Sequence, residues 1–133
     1  MKTKIITDSC CDLSQGYLKD NEVEVIPFPY SIEGKDYTDD FGSTLSYENF
    51  YNYMRGGSMP TTSQITAFTY VNTFKKFVGE GYSIIYIGFS SALSQTYNNS
   101  LLAINYIKEE YPQADIASID SKSASVGLGL LVY

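Results

Sequence analysis

The sequence predicts an α/β domain built on an open, mainly parallel sheet with covering helices. Short apolar runs typical of buried strands alternate with segments whose apolar residues recur every three or four positions, as in amphipathic helices. The order strand, helix, strand, helix favours a parallel sheet. With 133 residues and 44% hydrophobic side chains, the chain is large enough to bury one core.

The first part of the chain is predicted to form a strand, a short helix and an antiparallel arm. Residues 2–7 predict a strand with an apolar centre, and residues 13–19 predict a short helix. Residues 23–30 are expected to be extended and to lie at a sheet edge, because their two prolines lack an amide hydrogen. Residues 31–37 predict a hairpin arm that turns at Glu33-Gly34-Lys35.

Two amphipathic helices are predicted in the middle of the chain. In residues 46–55 the aromatic and apolar side chains are spaced three and four apart, and Gly56-Gly57 ends the helix. Over residues 64–78 apolar side chains recur every three positions, which is typical of a helix with one buried face. The loop between these helices is predicted to end in residues 60–63.

The second half continues the alternation. Residues 83–88 contain a continuous apolar run, the pattern of a strand buried on both faces of a parallel sheet. A serine-rich turn over residues 90–94 leads into a helix predicted from Tyr97 toward Glu109. Residues 114–119 predict another short buried strand.

The last segment, residues 123–133, starts like a helix with small side chains and ends in an apolar stretch. Such an ending indicates a surface that something else covers. We therefore expect residues 1–133 to be a single domain of a protein that continues into a second lobe. A docked or swapped C-terminal helix is the alternative cover.

Composition narrows the class of protein. The net charge of −6 leaves no basic stripe to neutralise phosphates, so a nucleic-acid partner is not expected. Cys10 and Cys11 are adjacent, a poor arrangement for a disulfide framework, which favours a reduced, cytoplasmic protein. The apolar run at Ile5-Ile6 is too short for a signal peptide or a membrane span.

The sequence contains no histidine. This removes the usual general base at neutral pH and the commonest zinc ligand, so the chain is a poor enzyme candidate and no cofactor is expected. Neither a Gly-x-Gly-x-x-Gly turn nor a Gly-Lys-Ser/Thr loop is present, and a nucleotide site is therefore not supported.

Hydroxyl and carboxyl side chains follow the predicted strands or precede the predicted helices at four places. They are Asp8-Ser9, Thr61-Thr62-Ser63, Ser90-Ser91 with Ser94, and Asp120-Ser121 with Ser123. In open α/β sheets such positions gather at one rim, where helix N-termini favour an anion. Each group alone is explained by helix capping. However, one cap needs one side chain, so capping does not explain the surplus of hydroxyls.

Four motifs resemble the DegV family in order and spacing. They are Asp8-Ser9-Cys10-Cys11-Asp12-Leu13, Thr62-Ser63-Gln64, Ser90-Ser91-Ala92-Leu93-Ser94-Gln95-Thr96-Tyr97 and Asp120-Ser121-Lys122. Together they span essentially the whole chain. The family usually has Gly where Gln95 stands and often has Pro where Ile65 stands.

The resemblance implies the N-terminal lobe of a two-lobed carrier that holds a long-chain fatty acid between its lobes. By matching motif, Thr62 and Ser91 would contact the carboxylate, with Ser63, Ser90 and Ser94 in supporting or capping roles. The family also implies a partner, a separate fatty acid kinase that converts the presented acid to an acyl phosphate. The carrier itself would catalyse nothing.

Two alternatives remain open at this point. The rim would be a hydrolase or transferase site if Ser91 or Cys10 acted as a nucleophile, with a base supplied from outside this chain. Otherwise every motif supplies only capping energy, and the tyrosine-rich residues 30–53 form a surface for a protein partner.

Overall fold

The computed structural model describes residues 2–133, which form seven strands and five α-helices. The strands are β1 (Lys2–Asp8), β2 (Glu24–Ile26), β3 (Pro29–Ile32), β4 (Lys35–Thr38), β5 (Thr61–Thr62), β6 (Tyr82–Gly88) and β7 (Ile116–Asp120). The helices are α1 (Gln15–Asp20), α2 (Tyr47–Arg55), α3 (Ala67–Gly79), α4 (Thr96–Glu110) and α5 (Val126–Val132). A 3₁₀ turn, Ser9–Cys11, follows β1.

The main sheet is parallel throughout and has the strand order β2-β1-β6-β7. The predicted fold class is therefore confirmed. The expectation that residues 23–30 lie at an edge is confirmed for β2, but it was wrong for Pro29 and Tyr30, which belong to β3, the middle strand of a second sheet.

Both faces of this sheet are covered. On one face, α3 and α4 pack on side chains such as Ile6 and Tyr86, and this cluster includes the fully buried Tyr70 and Phe74. On the other face, Leu18 and Leu128, from α1 and α5, belong to a smaller cluster with Cys11 and Ile87. Neighbouring residues of β1 point to opposite faces, which is why its apolar run is continuous.

A second, antiparallel sheet has the order β4-β3-β5. The predicted hairpin is confirmed, and Glu33 and Gly34 both adopt positive φ at its turn, as a type I′ turn requires. The prediction that residues 60–63 are loop was wrong for Thr61 and Thr62, which pair with β3. A two-residue strand is too short to show a periodicity in the sequence. It can be recognised only from its pairing with the edge of β3.

Two other boundaries differ from the prediction. Helix α3 begins three residues later than predicted, because the Thr66 side chain accepts a hydrogen bond from the Thr69 amide and caps the first turn. Strand β7 was predicted to be buried, but it is the edge of the sheet, and Ile119 on it is 44% exposed. The apolar sequence of β7 did not reveal that its outer side has no neighbouring strand.

Helix α5 is held against the 3₁₀ turn through a glycine. A Cβ at Gly129 would lie 2.4 Å from the carbonyl oxygen of Cys11, which is backbone and cannot rotate away. Gly129→Ala should therefore lower the free energy of unfolding by about 1–3 kcal/mol, although alanine has the better helix propensity. Urea denaturation would measure the change.

Gly16→Ala in α1 is the matched control, since nothing lies within 4 Å of its added Cβ. We expect the control to be neutral or stabilising by up to about 1 kcal/mol. Equal effects of the two substitutions would show that the close approach of α5 to Cys11 does not limit stability.

Candidate ligand-binding pocket

A cavity of about 620 Å³ lies at the carboxyl ends of the parallel strands, between this rim and the antiparallel sheet with α2. Its size is that of an ordinary small-molecule site. The lining combines a polar edge with an aromatic wall. The lining residues are Cys10, Phe28, Tyr30, Asp39, Gly42, Leu45, Tyr47, Phe50, Tyr51, Pro60, Thr62, Ser63, Gln64, Phe89, Leu93, Ser94 and Gln95.

Three of the five hydroxyl residues proposed from the sequence line this cavity: Thr62, Ser63 and Ser94. Pairing of β5 with β3 positions Thr62, and the Ser63 amide donates to the Pro29 carbonyl at 3.2 Å. Ser94 lies before α4, where its Oγ accepts from the Thr96 amide at 3.1 Å. Hydroxyls from two separate turns therefore meet at one pocket.

The other two, Ser90 and Ser91, lie outside the cavity lining among the residues that the structure describes. Ser90 is buried, and its Oγ accepts from the Ala92 amide at 3.2 Å. The Ser91 hydroxyl donates to the Asp120 carboxylate, which also accepts from the Ser91 amide at 3.2 Å. These bonds join the loop after β6 to the end of β7, and they lower the pKa of Asp120.

A large part of the lining is aromatic, and its Tyr30 is paired with Thr62 in the antiparallel sheet. Tyr30 stacks on Tyr37 with ring centroids 5.3 Å apart, and Phe50 of α2 meets the Tyr30 ring edge-on at 5.8 Å. Phe28 and Phe89 form another edge-on pair at 5.8 Å. No residue of α2 is buried, so its tyrosines are available to a ligand. The wall suits an apolar group.

Asp39 is the one charged side chain among the described residues that line the cavity. Lysine and arginine are absent from that lining. Recognition of an anionic head group by these residues would therefore depend on neutral hydroxyl, side-chain amide and backbone donors. Such donors offset the desolvation of a carboxylate when several of them converge.

The buried carboxyl group of Asp8 links the 3₁₀ turn after β1 to the residue that follows β6. It accepts hydrogen bonds from the Phe89 amide at 2.7 Å, the Cys10 amide at 3.0 Å and the Tyr86 hydroxyl at 3.2 Å. The Tyr86 hydroxyl also lies 2.6 Å from that of Tyr70. Burial raises the pKa of Asp8 to about 6, and these hydrogen bonds only partly oppose that rise.

Sequence reasoning missed two contributions to the pocket. Gln64 and Gln95 both line it, although Gln95 was noted only as a departure from the family pattern. The aromatic lining from Tyr30, Tyr47 and Tyr51 was not assigned to a ligand site, because these tyrosines were interpreted as a helix face, as core or rim residues, or as a surface for a protein partner. For the two glutamines, the sequence signal that could have identified them is their position next to the hydroxyl motifs.

Within residues 2–133, no helix is both long and apolar enough to cross a membrane. Over the same residues there is no group of three or more cysteine, aspartate or glutamate side chains arranged to hold a metal ion.

The fold and the cavity define a class: an open α/β domain with a ligand pocket outside the carboxyl ends of its strands. The model of the DegV family, described as a family of uncharacterised proteins, matches residues 2–133. The chain belongs to the DegV family. A DegV domain-containing protein of Clostridium perfringens is 44% identical over 132 residues, which are 99% of this chain and 45% of that relative.

Solved structures agree with this assignment. A stearic-acid-binding protein of Eubacterium ventriosum superposes with a TM-score of 0.89 at 32% identity, covering 98% of this chain and 45% of that one. A DegV family protein of Thermus thermophilus, described as fatty-acid-binding, has a TM-score of 0.84 at 26% identity, with 99% and 45% coverage. The chain thus spans about 45% of the length of these proteins.

Proposed function

We propose that this chain binds a long-chain fatty acid, with the acyl chain against the aromatic wall and the carboxylate at the hydroxyl edge. The observation that carries the proposal is that one cavity is lined both by Thr62, Ser63 and Ser94 and by aromatic side chains, and that its lining includes no lysine or arginine. The fatty-acid-binding structural neighbours support the same ligand class.

The proposed roles of the five hydroxyl residues follow from their contacts. Thr62 and Ser63 make the direct contacts, since their side chains line the cavity and only their backbones are committed to the antiparallel sheet and Pro29. Ser94 lies at the start of α4, where the helix dipole favours a negative charge, but its hydroxyl donates to Thr96 Oγ1 at 2.8 Å and accepts from the Thr96 amide, so its role is to support the turn. Ser90 and Ser91 support the turn that carries Ser94.

The acyl chain supplies most of the binding energy. Burying about 14 methylenes at about 0.8 kcal/mol each gives roughly 11 kcal/mol, which the costs of association and ordering reduce substantially. The polar edge therefore sets the preference for an acid, and the acyl chain provides most of the affinity.

The nucleophile alternative has less support. Burial, and secondarily the charge of Asp8, raises the pKa of Cys10 to about 12, which keeps its thiol protonated and unreactive. The Ser91 hydroxyl bonds to Asp120, whose lowered pKa makes it a weak base. Presentation of the acid to a separate fatty acid kinase, and a second lobe completing the site, stay predictions from the family resemblance.

We expect the intact protein to copurify with a long-chain fatty acid. Extraction and mass spectrometry would identify the acid, and titration of delipidated protein with stearic acid would give the affinity. Recovery of empty protein that also fails to take up added stearic acid would overturn the proposal. A preparation of an unrelated protein from the same cells controls for lipid carry-over.

A further inference from the structure

We propose that the side-chain amides of Gln95 and Gln64 form a pair of hydrogen-bond donors that selects a carboxylate head group in this pocket. This inference rests on the proposed fatty-acid site and adds two specificity-determining residues to it. It follows from how the adjacent residues Asn98 and Asn99 orient the two glutamines.

Gln95 directly precedes α4 and lines the cavity. It makes no side-chain capping bond to the helix. Instead its Oε1 accepts a hydrogen bond from Asn98 Nδ2 at 2.6 Å, one turn further along. This contact uses one lone pair of the amide oxygen, whereas the Nε2 group, which can only donate, makes no hydrogen bond within residues 2–133 and is the group we assign to the ligand.

Gln64, which also lines the cavity, is oriented in the same way. Asn99 Nδ2 donates to Gln64 Oε1 at 3.0 Å and to the Ile65 carbonyl at 2.8 Å. The second bond fixes Asn99 to the backbone before α3, and the first uses one lone pair of the Gln64 amide oxygen. Two neighbouring residues on α4 thus leave two donor groups at one cavity.

The residues around the two glutamines indicate which head group the amides would bind. The two glutamines line the same cavity as Thr62 and Ser63, and Asp39 is the one charged residue on the described lining. A carboxylate accepts several hydrogen bonds and offers no proton, so it satisfies both amides at once. An alcohol or an ester carries no charge and gains less from each of these donors.

The test compares stearic acid with methyl stearate on the intact protein. Gln95→Glu and Gln64→Glu keep the side-chain shape and the oxygen that accepts from Asn98 or Asn99, but they replace the free donor by an acceptor. Each should weaken stearic acid binding by about tenfold or more, the loss of one hydrogen bond to a charged group. Binding of methyl stearate should change by less than about threefold.

Gln113→Glu is the matched control, since it adds the same charge at an exposed residue beyond α4 that does not line this cavity. Its affinity for both lipids should equal that of the wild type. Gln95→Met separates the lost donor from the added charge, and it should also reduce the ratio of acid to ester affinity.

Unchanged acid-to-ester ratios in both glutamate variants, with wild-type binding of stearic acid, would overturn the amide pair and leave the proposed function standing. Equal losses for acid and ester would also overturn it, because they would indicate a general disturbance of the pocket. Failure of the wild type to bind stearic acid would overturn the proposed function and this inference together.

Discussion

We expect the double variant Thr62→Val, Ser63→Ala to bind stearic acid about 100-fold more weakly than the wild type. Both hydroxyls line the cavity, and their removal deletes two donors to a charged group at about 1.5 kcal/mol each. Valine keeps the shape and β-branching of threonine, so the short strand β5 should survive. Calorimetry or a fluorescent fatty-acid displacement assay would measure the affinity.

Thr61→Val is the matched control for this variant. Thr61 lies in the same strand and is also exposed, but it does not line the cavity. Its affinity for stearic acid should stay within about twofold of the wild type. Wild-type affinity in the double variant would rule out a head-group site at β5, whereas an equal loss in the Thr61 control would indicate damage to the strand.

The second large effect is a pH-dependent cost of burying Asp8. Its pKa rises on folding from 3.8 to about 6, so the folded state holds the proton more tightly. The contribution of this carboxyl to stability is therefore fully present below pH 3.8 and is lost as the pH rises through about 6. At 1.36 kcal/mol per pKa unit, the loss is about 3 kcal/mol.

The measurement is the difference in unfolding free energy between the wild type and Asp8→Asn, determined in urea from pH 4 to pH 7.5. Subtraction cancels the opposite titrations of Asp40 and Asp120, whose pKa values are lowered. The wild type should lose about 2 kcal/mol relative to the variant over this range, because part of the loss has already occurred at pH 4. A pH-independent difference would show that Asp8 titrates alike in the folded and unfolded chain.

Asp8 also helps to position two residues of the pocket. Asp8 accepts from the amides of Phe89 and Cys10, and both residues line the cavity. Circular dichroism at each pH should first show that Asp8→Asn is folded, because asparagine keeps only one of the two carboxyl oxygens.

The main sheet was largely predictable from the sequence. Residues buried on both faces give β1 and β6 their apolar runs. The spacing over residues 64–78 predicted α3 and the burial of Phe74, but the three-residue series was wrong for Phe68, which is 73% exposed, and it left out the buried Tyr70. The antiparallel sheet was only half predictable. The hairpin has a glycine turn, but β5 exists because a free edge of β3 lies beside it.

The candidate site shows the same division. Hydroxyls in motifs at the strand ends predicted the rim, because parallel strands bring their carboxyl ends to one edge. Their individual directions were not predictable, since the turn over residues 90–94 is irregular and has no side-chain period. The structure therefore separates Ser94, at the pocket, from Ser91, which bonds to Asp120.

By itself, the sequence determined the parallel α/β core and the strand ends at which polar side chains gather, because burial imposes a periodicity on local sequence. Only the tertiary structure decided which donors share a cavity and which are satisfied within the protein. That outcome depends on contacts between distant segments, such as Asn99 with Gln64 and Ser91 with Asp120, which no local pattern encodes.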